Sequence, residues 1–221
     1  DRMANAIEMA LSGLGNTTAN TINKNEILAR IGEQNNEFNF KLRDTAAKHY
    51  WNYHISYALA EGAATGAGGF AILLADIPLL FGIAMRLIQE IAVCYGFDIN
   101  TDEEHLYMLN ILRVSSTGDV KAKAEFMVIL KQVEQILLTI TWREMADALA
   151  KKQLNSLATI ALFRKFCNSL GIQLTKRKAL QLVPVFGAFV GAAFNSTFIN
   201  DVGKAAYMSY RRRKIEELEK K

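Results

Sequence analysis

Polar residues set inside apolar surroundings are where this chain could do chemistry, because burying an unpaired charge is costly. Glu61, Asp76, Arg86, Glu90, Asn195 and Asp201 form that set. Arg86 and Glu90 are four apart, so they share a helix face and can pair, with Gly82, Met85 and Val93 beside them. Asp76 stands two residues before Pro78, placed to accept N–H bonds if a helix starts there. Asn195 and Asp201 are six apart, about 120° round an ideal helix, and need separate partners. Two readings follow. Either these groups satisfy one another and fix helix register, or they line an apolar pocket as a ligand-binding polar cluster that could also serve as acid and base.

Other chemistry is thinly represented. His54 and Glu61 lie seven apart on one helix face, but a metal site there would need Glu90 and Asp201 from other helices. The Glu-x-x-His pair of di-iron bundles is absent, so neither a metal nor a cofactor is expected. Asp102 and His105 have i,i+3 spacing inside a capping-box pattern; His49 and His105 read as surface residues. There is no Walker A loop, HExxH, GxSxG elbow or CxxC. Residues 66–71 match GxGxxA without the strand that a dinucleotide site requires. The glycines Gly66, Gly68 and Gly69 could instead form a backbone nest for a headgroup or phosphate, with Arg211, Arg212 and Arg213 as a second basic feature. The competing reading of the glycines is close helix–helix contact. Cys94 and Cys167 sit in apolar helical patterns and read as buried, reduced thiols.

The elements that must position these residues are helical. The chain has 221 residues, 51% of them hydrophobic and 22% charged, with a formal charge of +4, which excludes a disordered chain or a disulfide scaffold. Apolar residues recur at three- and four-residue steps from Val120 to Ala150, and again over Leu154–Leu170, closed by Gly171. A helix is predicted over 37–61, a short one over 23–32, one opened by Thr101-Asp102-Glu103-Glu104, and one from Thr175. No segment alternates with period two. The expected fold is all-α: a weakly patterned N-terminal segment, 1–36, followed by one helical domain, 37–221.

Two segments depart from the amphipathic norm. Gly62–Met85 holds one charge, Asp76, in 24 residues, and Ala179–Ile199 holds none in 21. Each contains one of the two prolines, Pro78 and Pro184. The ten large apolar residues of the first are worth roughly −3 to −6 kcal/mol on the insertion scale, against about +3 for a central Asp, so neither segment is a confident membrane span. The favoured reading makes each proline the first residue of a central, nearly uncharged helix, with Gly62/Gly66 and Gly187/Gly191 allowing close backbone approach.

These segments carry a resemblance. The runs 61–70, 74–80, Arg86 and 91–98, followed by 174–179, 183–187, 191–195 and 198–203, resemble the bacterial EcsC family across roughly residues 50–210. The family takes its name from a companion of an ABC-type exporter pair, and its members look like cytoplasmic or membrane-associated helical proteins. The resemblance supplies no reaction and no catalytic residues. It implies a membrane transporter as a partner.

The functional expectation is a non-enzymatic, membrane-associated accessory protein at the cytoplasmic face, binding a lipid, a hydrophobic peptide or a membrane protein. The alternative is a hydrolase that acts on a lipid-like substrate through Glu61, Asp76 or Glu90. Nothing supplies an activated nucleophile, so whether the chain is an enzyme stays open. The start of the chain shows no basic-then-apolar leader, in keeping with the cytoplasmic expectation. Nucleic acid is not an expected partner.

Overall fold

A computed structural model describes residues 21–32, 38–66, 70–116 and 187–220. In chain order the helices are α1 (Lys24–Ile31), α2 (Phe40–Gly66), α3 (Phe70–Cys94), α4 (Asp102–Ser116) and α5 (Gly187–Leu218), and no strand occurs among the described residues. The fold is all-α, as expected. The helices expected over 120–150 and 154–170, the Gly171 cap, the helix start at Thr175, Pro184 and Cys167 lie outside the described residues.

Local chemistry sets the helix ends. Asn23 caps α1, its side chain accepting from the Glu26 N–H at 3.1 Å, and Gly32 ends it in the left-handed conformation at φ 62°. Asn39 caps α2 by accepting from the Leu42 N–H at 3.2 Å. At the end of α3, Gly96 takes φ 79°, the Phe97 N–H bonds the Ala92 carbonyl and the Gly96 N–H bonds that of Val93. This is the paired bonding of a Schellman cap. The Arg43 guanidinium donates to the Cys94 carbonyl at 2.8 Å, satisfying a further acceptor at the same end. Thr101 caps α4 through the Glu104 N–H at 3.2 Å.

The expected start at Pro78 is corrected. Helix α3 begins at Phe70 and carries Pro78 within its length. Proline gives no N–H to the carbonyl four residues back, a loss that ordinarily breaks a helix. Tertiary packing outweighs it here, because from Leu80 to Tyr95 every residue except Gly82 and Arg86 is buried. A helix buried almost all round is the central one, and this much of the expectation for the uncharged segments holds. With the helix starting upstream, Asp76 has no free helix-start N–H groups beside it; its side chain lies outside the described residues.

Helix α5 runs along α2 and also touches α3 and α4, while α1 packs across α2 and α3. Its buried stripe is Gly191, Phe194, Asn195, Phe198, Val202, Ala206 and Tyr210, at three- and four-residue steps. Phe198 meets Phe81 of α3 edge to face at a centroid distance of 6.4 Å, so the two charge-poor helices do touch. A close backbone contact, however, lies between α5 and α2. A Cβ added at Gly62 would stand 2.5 Å from the carbonyl oxygen of Gly191. Twelve residues on, Gly203 faces the indole of Trp51 with no room for a side chain. No described helix is long and apolar enough to cross a membrane. Cys94 is a free, fully buried thiol whose pKa is pushed up to about 12 by burial, with the Glu90 charge adding to the rise.

Gly62→Ala is expected to destabilise the fold by about 1–3 kcal/mol, because two backbones must separate. Gly82→Ala has nothing within 4 Å of the new Cβ, and should stabilise by about 0.5–1 kcal/mol through helix propensity. Urea denaturation of both variants checks the contrast, and equal responses would contradict the crossing. In a Cys167→Ser background, Cys94 should react with a thiol reagent at pH 8 only as the protein unfolds. Rapid labelling of folded protein would refute its burial.

Candidate functional site

The buried stripe of α2 runs Arg43, Ala46, Ala47, Tyr50, His54, Ala58 and Gly62. That spacing turns His54 toward α3. There its imidazole Nε2–H donates to Glu90 Oε2 at 2.7 Å. The other carboxylate oxygen of Glu90 accepts from Arg86 Nε at 3.0 Å, the i,i+4 pair expected from the sequence. Arg86 Nη1 also donates to the Thr21 hydroxyl at 3.2 Å. The His54 and Glu90 side chains are 3% and 7% exposed, whereas Arg86 is 40% exposed. A buried carboxylate is tolerated here because both oxygens have charge-assisted partners. The Nδ1 atom of His54 is buried and makes no hydrogen bond among the described residues.

Arg86 opens into a cleft of about 720 Å³ between α1, α2 and α3. Ile27, Ile83 and Leu79 supply apolar wall, and Tyr50, Tyr53 and Tyr57 bring aromatic surface from α2. Arg30, Glu26 and His49 complete the charged and titratable lining with Arg86, His54 and Glu90. Tyr53, Tyr57 and Leu79 are large side chains left about half exposed. None of the described lining residues is a serine or cysteine.

The sequence-derived set therefore divides. Arg86 and Glu90 meet at the cleft. Glu61 is elsewhere: Asn195 donates to it at 2.6 Å, beside the Gly62–Gly191 crossing. Asp201 is half-buried further along α5. His54 and Glu61 share a helix but serve different partners, and no three His, Cys, Asp or Glu among the described residues are grouped to hold a metal. Gly66 ends α2, and Gly68 and Gly69 lie outside the described residues.

The C-terminal arginines are all paired. Arg211 binds Asp44 at 3.1 Å, Arg213 binds the buried Glu104 at 2.7 Å, and Arg212 binds Glu216 at 2.7 Å. Arg211 also lies over the Phe40 ring, and Arg213 over both Phe97 and Tyr107. Glu104 takes a further bond from the Tyr210 hydroxyl at 2.6 Å, and burial with the nearby carboxylate pushes the pKa of that phenol well up. The capping-box pattern is thus half realised, because Thr101 caps the helix while Glu104 turns into the core. His105, expected at the surface, is buried; it shares the face of Met108, Leu109 and Leu112. His49 is exposed, as expected.

Sequence reasoning missed the tyrosine wall and the His54–Glu90 contact. The signal was present: His54 is a polar residue on the stripe of Ala47, Tyr50 and Ala58, and Tyr50, Tyr53 and Tyr57 fall at helical spacing beside it.

The model of the EcsC protein family matches residues 1–215, extending upstream of the roughly 50–210 over which the motif resemblance runs and into the first 36 residues. Among curated proteins, "Uncharacterized protein YdbA" of Bacillus subtilis (strain 168) is 32% identical over 160 residues, 72% of this chain and 53% of that protein. "Protein EcsC" of the same organism is 28% identical over 160 residues, 72% of this chain and 58% of its own length. The chain thus spans little more than half the length of these curated relatives. No solved structure matches.

Glu90→Ala should cost about 3–5 kcal/mol, because His54 and Arg86 lose a shared buried acceptor. Removing the exposed partner in Glu216→Ala should cost under about 1 kcal/mol. Chemical denaturation separates the two, and a comparable small loss for Glu90→Ala would show that the buried pair contributes little.

Proposed function

The chain belongs to the EcsC family, and we propose that it is a non-enzymatic, membrane-associated accessory protein that holds an amphipathic molecule in the cleft between α1, α2 and α3. The observation that carries this reading is the make-up of the cleft: apolar side chains and charged groups share one lining, in which Tyr53, Tyr57 and Leu79 are about half exposed. Its volume of about 720 Å³ falls within the roughly 300–1,000 Å³ typical of small-molecule sites. Tyrosine suits a mouth placed against a bilayer, since its ring favours the apolar side and its hydroxyl the headgroup side. A membrane surface at the cytoplasmic face is the setting of this proposal, and a membrane transporter is the macromolecular partner we place beside it, on the resemblance alone.

The hydrolase reading has less support. Both oxygens of Glu90 are engaged, Glu61 is bonded to Asn195 at the helix crossing, and among the described residues no serine or cysteine lines the cleft.

Vesicle flotation tests the proposal. The protein should float with vesicles of phosphatidylcholine mixed with phosphatidylglycerol, and Tyr53→Ser combined with Tyr57→Ser should lower the bound fraction several-fold without lowering the melting temperature. Equal recovery with and without vesicles would sink the membrane part of the reading.

A further inference from the structure

We infer that the cleft selects an oxyanion head, phosphate or carboxylate, on an apolar chain, and that Arg86 reads it; this rests on the cleft being a binding site for an amphipathic molecule. The argument begins with the guanidinium. Its Nε is held by Glu90 and its Nη1 by Thr21, two of the five N–H donors that an arginine carries. Glu90 is itself held from the facing helix by His54. Arg86 is therefore fixed before any ligand arrives, and such preorganisation lowers the entropy lost on binding. Its side chain remains 40% exposed on the cleft.

The charged groups facing the cleft from each element are close to balanced, so the accessible donors decide what it takes. Helix α1 contributes Arg30 and Glu26, α2 the histidines His49 and His54, and α3 contributes Arg86 and Glu90. Glu90 is buried with both oxygens occupied, so it offsets part of the Arg86 charge without offering a ligand a competing acceptor, and His54 is buried behind it. What an entering molecule meets is two guanidiniums, Arg86 and the 39%-exposed Arg30, against one carboxylate, Glu26. Glu26 lies 4.0 Å from Arg30 on the same helix, a contact too long and exposed to immobilise it. Guanidiniums present planar donor pairs that match the oxygens of phosphate and carboxylate. Ile27, Ile83 and Leu79 then face the chain that follows the head.

Isothermal titration with three probes tests this: dodecyl phosphate, dodecyl maltoside and inorganic phosphate, the detergents kept below micelle formation. The native chain should bind dodecyl phosphate about tenfold more tightly than dodecyl maltoside. Arg86→Gln should remove that preference by weakening dodecyl phosphate about tenfold while leaving dodecyl maltoside unchanged. Should circular dichroism show that variant unfolded, Arg30→Gln gives the same readout. Equal affinity of the native chain for the two detergents, or an equal loss of both in a folded variant, overturns anion selection and leaves the cleft reading standing. If neither detergent binds, the cleft reading fails and this inference with it. Inorganic phosphate binding as tightly as dodecyl phosphate would support anion selection and overturn the apolar chain.

Discussion

Helix α5 can lie along α2 only because no side chain stands between them where Gly62 meets Gly191. With backbones in contact there, the registry of two long helices is set at one point, and their other partners fall where the helical repeat puts them. Trp51 comes to rest on Gly203, Glu61 meets Asn195, and Asp44 meets Arg211. A side chain at Gly62 would move one helix away from the other, and each of those pairs would lengthen together. The crossing therefore acts on polar contacts well beyond its own atoms.

Those contacts follow one rule. Glu90, Glu104 and Asp44 sit at helix interfaces, and each accepts from two side chains, at least one of them outside its own helix. Glu90 on α3 accepts from α2, and from its own helix through Arg86. Glu104 on α4 accepts twice from α5, through Tyr210 and Arg213. Asp44 on α2 accepts from Tyr95 at the end of α3 and from Arg211 on α5. Desolvating a carboxylate is unfavourable unless charged or hydroxyl donors replace its water. A mispaired arrangement would leave one without donors. The paired arrangement thus disfavours alternative registers more than it adds net stability.

Much of this architecture was legible in the sequence. Apolar periodicity located α2 and α4, the asparagine and glycine at 23 and 32 bounded α1, and Arg86–Glu90 was readable as an i,i+4 pair. Three things were not. The start of α3 was hidden because proline is a strong local signal, whereas the packing that overrides it comes from residues distant in sequence. The burial of His105 and Glu104 was hidden because a capping-box pattern normally puts such residues in water, and only the approach of Tyr210 and Arg213 provides donors inside. The cleft itself depends on α1 lying across α2 and α3, a juxtaposition that no local pattern encodes. Expecting Glu61 and Glu90 in one cluster failed for a related reason: both were recognised as polar residues in apolar stretches, but different helices reach them.

The distribution of positive charge changes what would bring such a protein to a membrane. From the sequence, Arg211–Arg213 form the densest basic cluster and suggest electrostatic attraction to acidic headgroups. In the fold, Arg211 and Arg213 bridge α5 to Asp44 on α2 and Glu104 on α4, and stack on rings, so their charge is largely balanced by fixed partners. Arg212, the most exposed of the three, is paired along its own helix. A field assembled from neutralised pairs falls off steeply in physiological salt. The exposed apolar and aromatic surface of Tyr53, Tyr57 and Leu79 is not screened in that way, and it lies beside the cleft that holds Arg86. If the protein meets a bilayer, the physics favours contact through that face, with the C-terminal helix serving to hold α2 in place behind it.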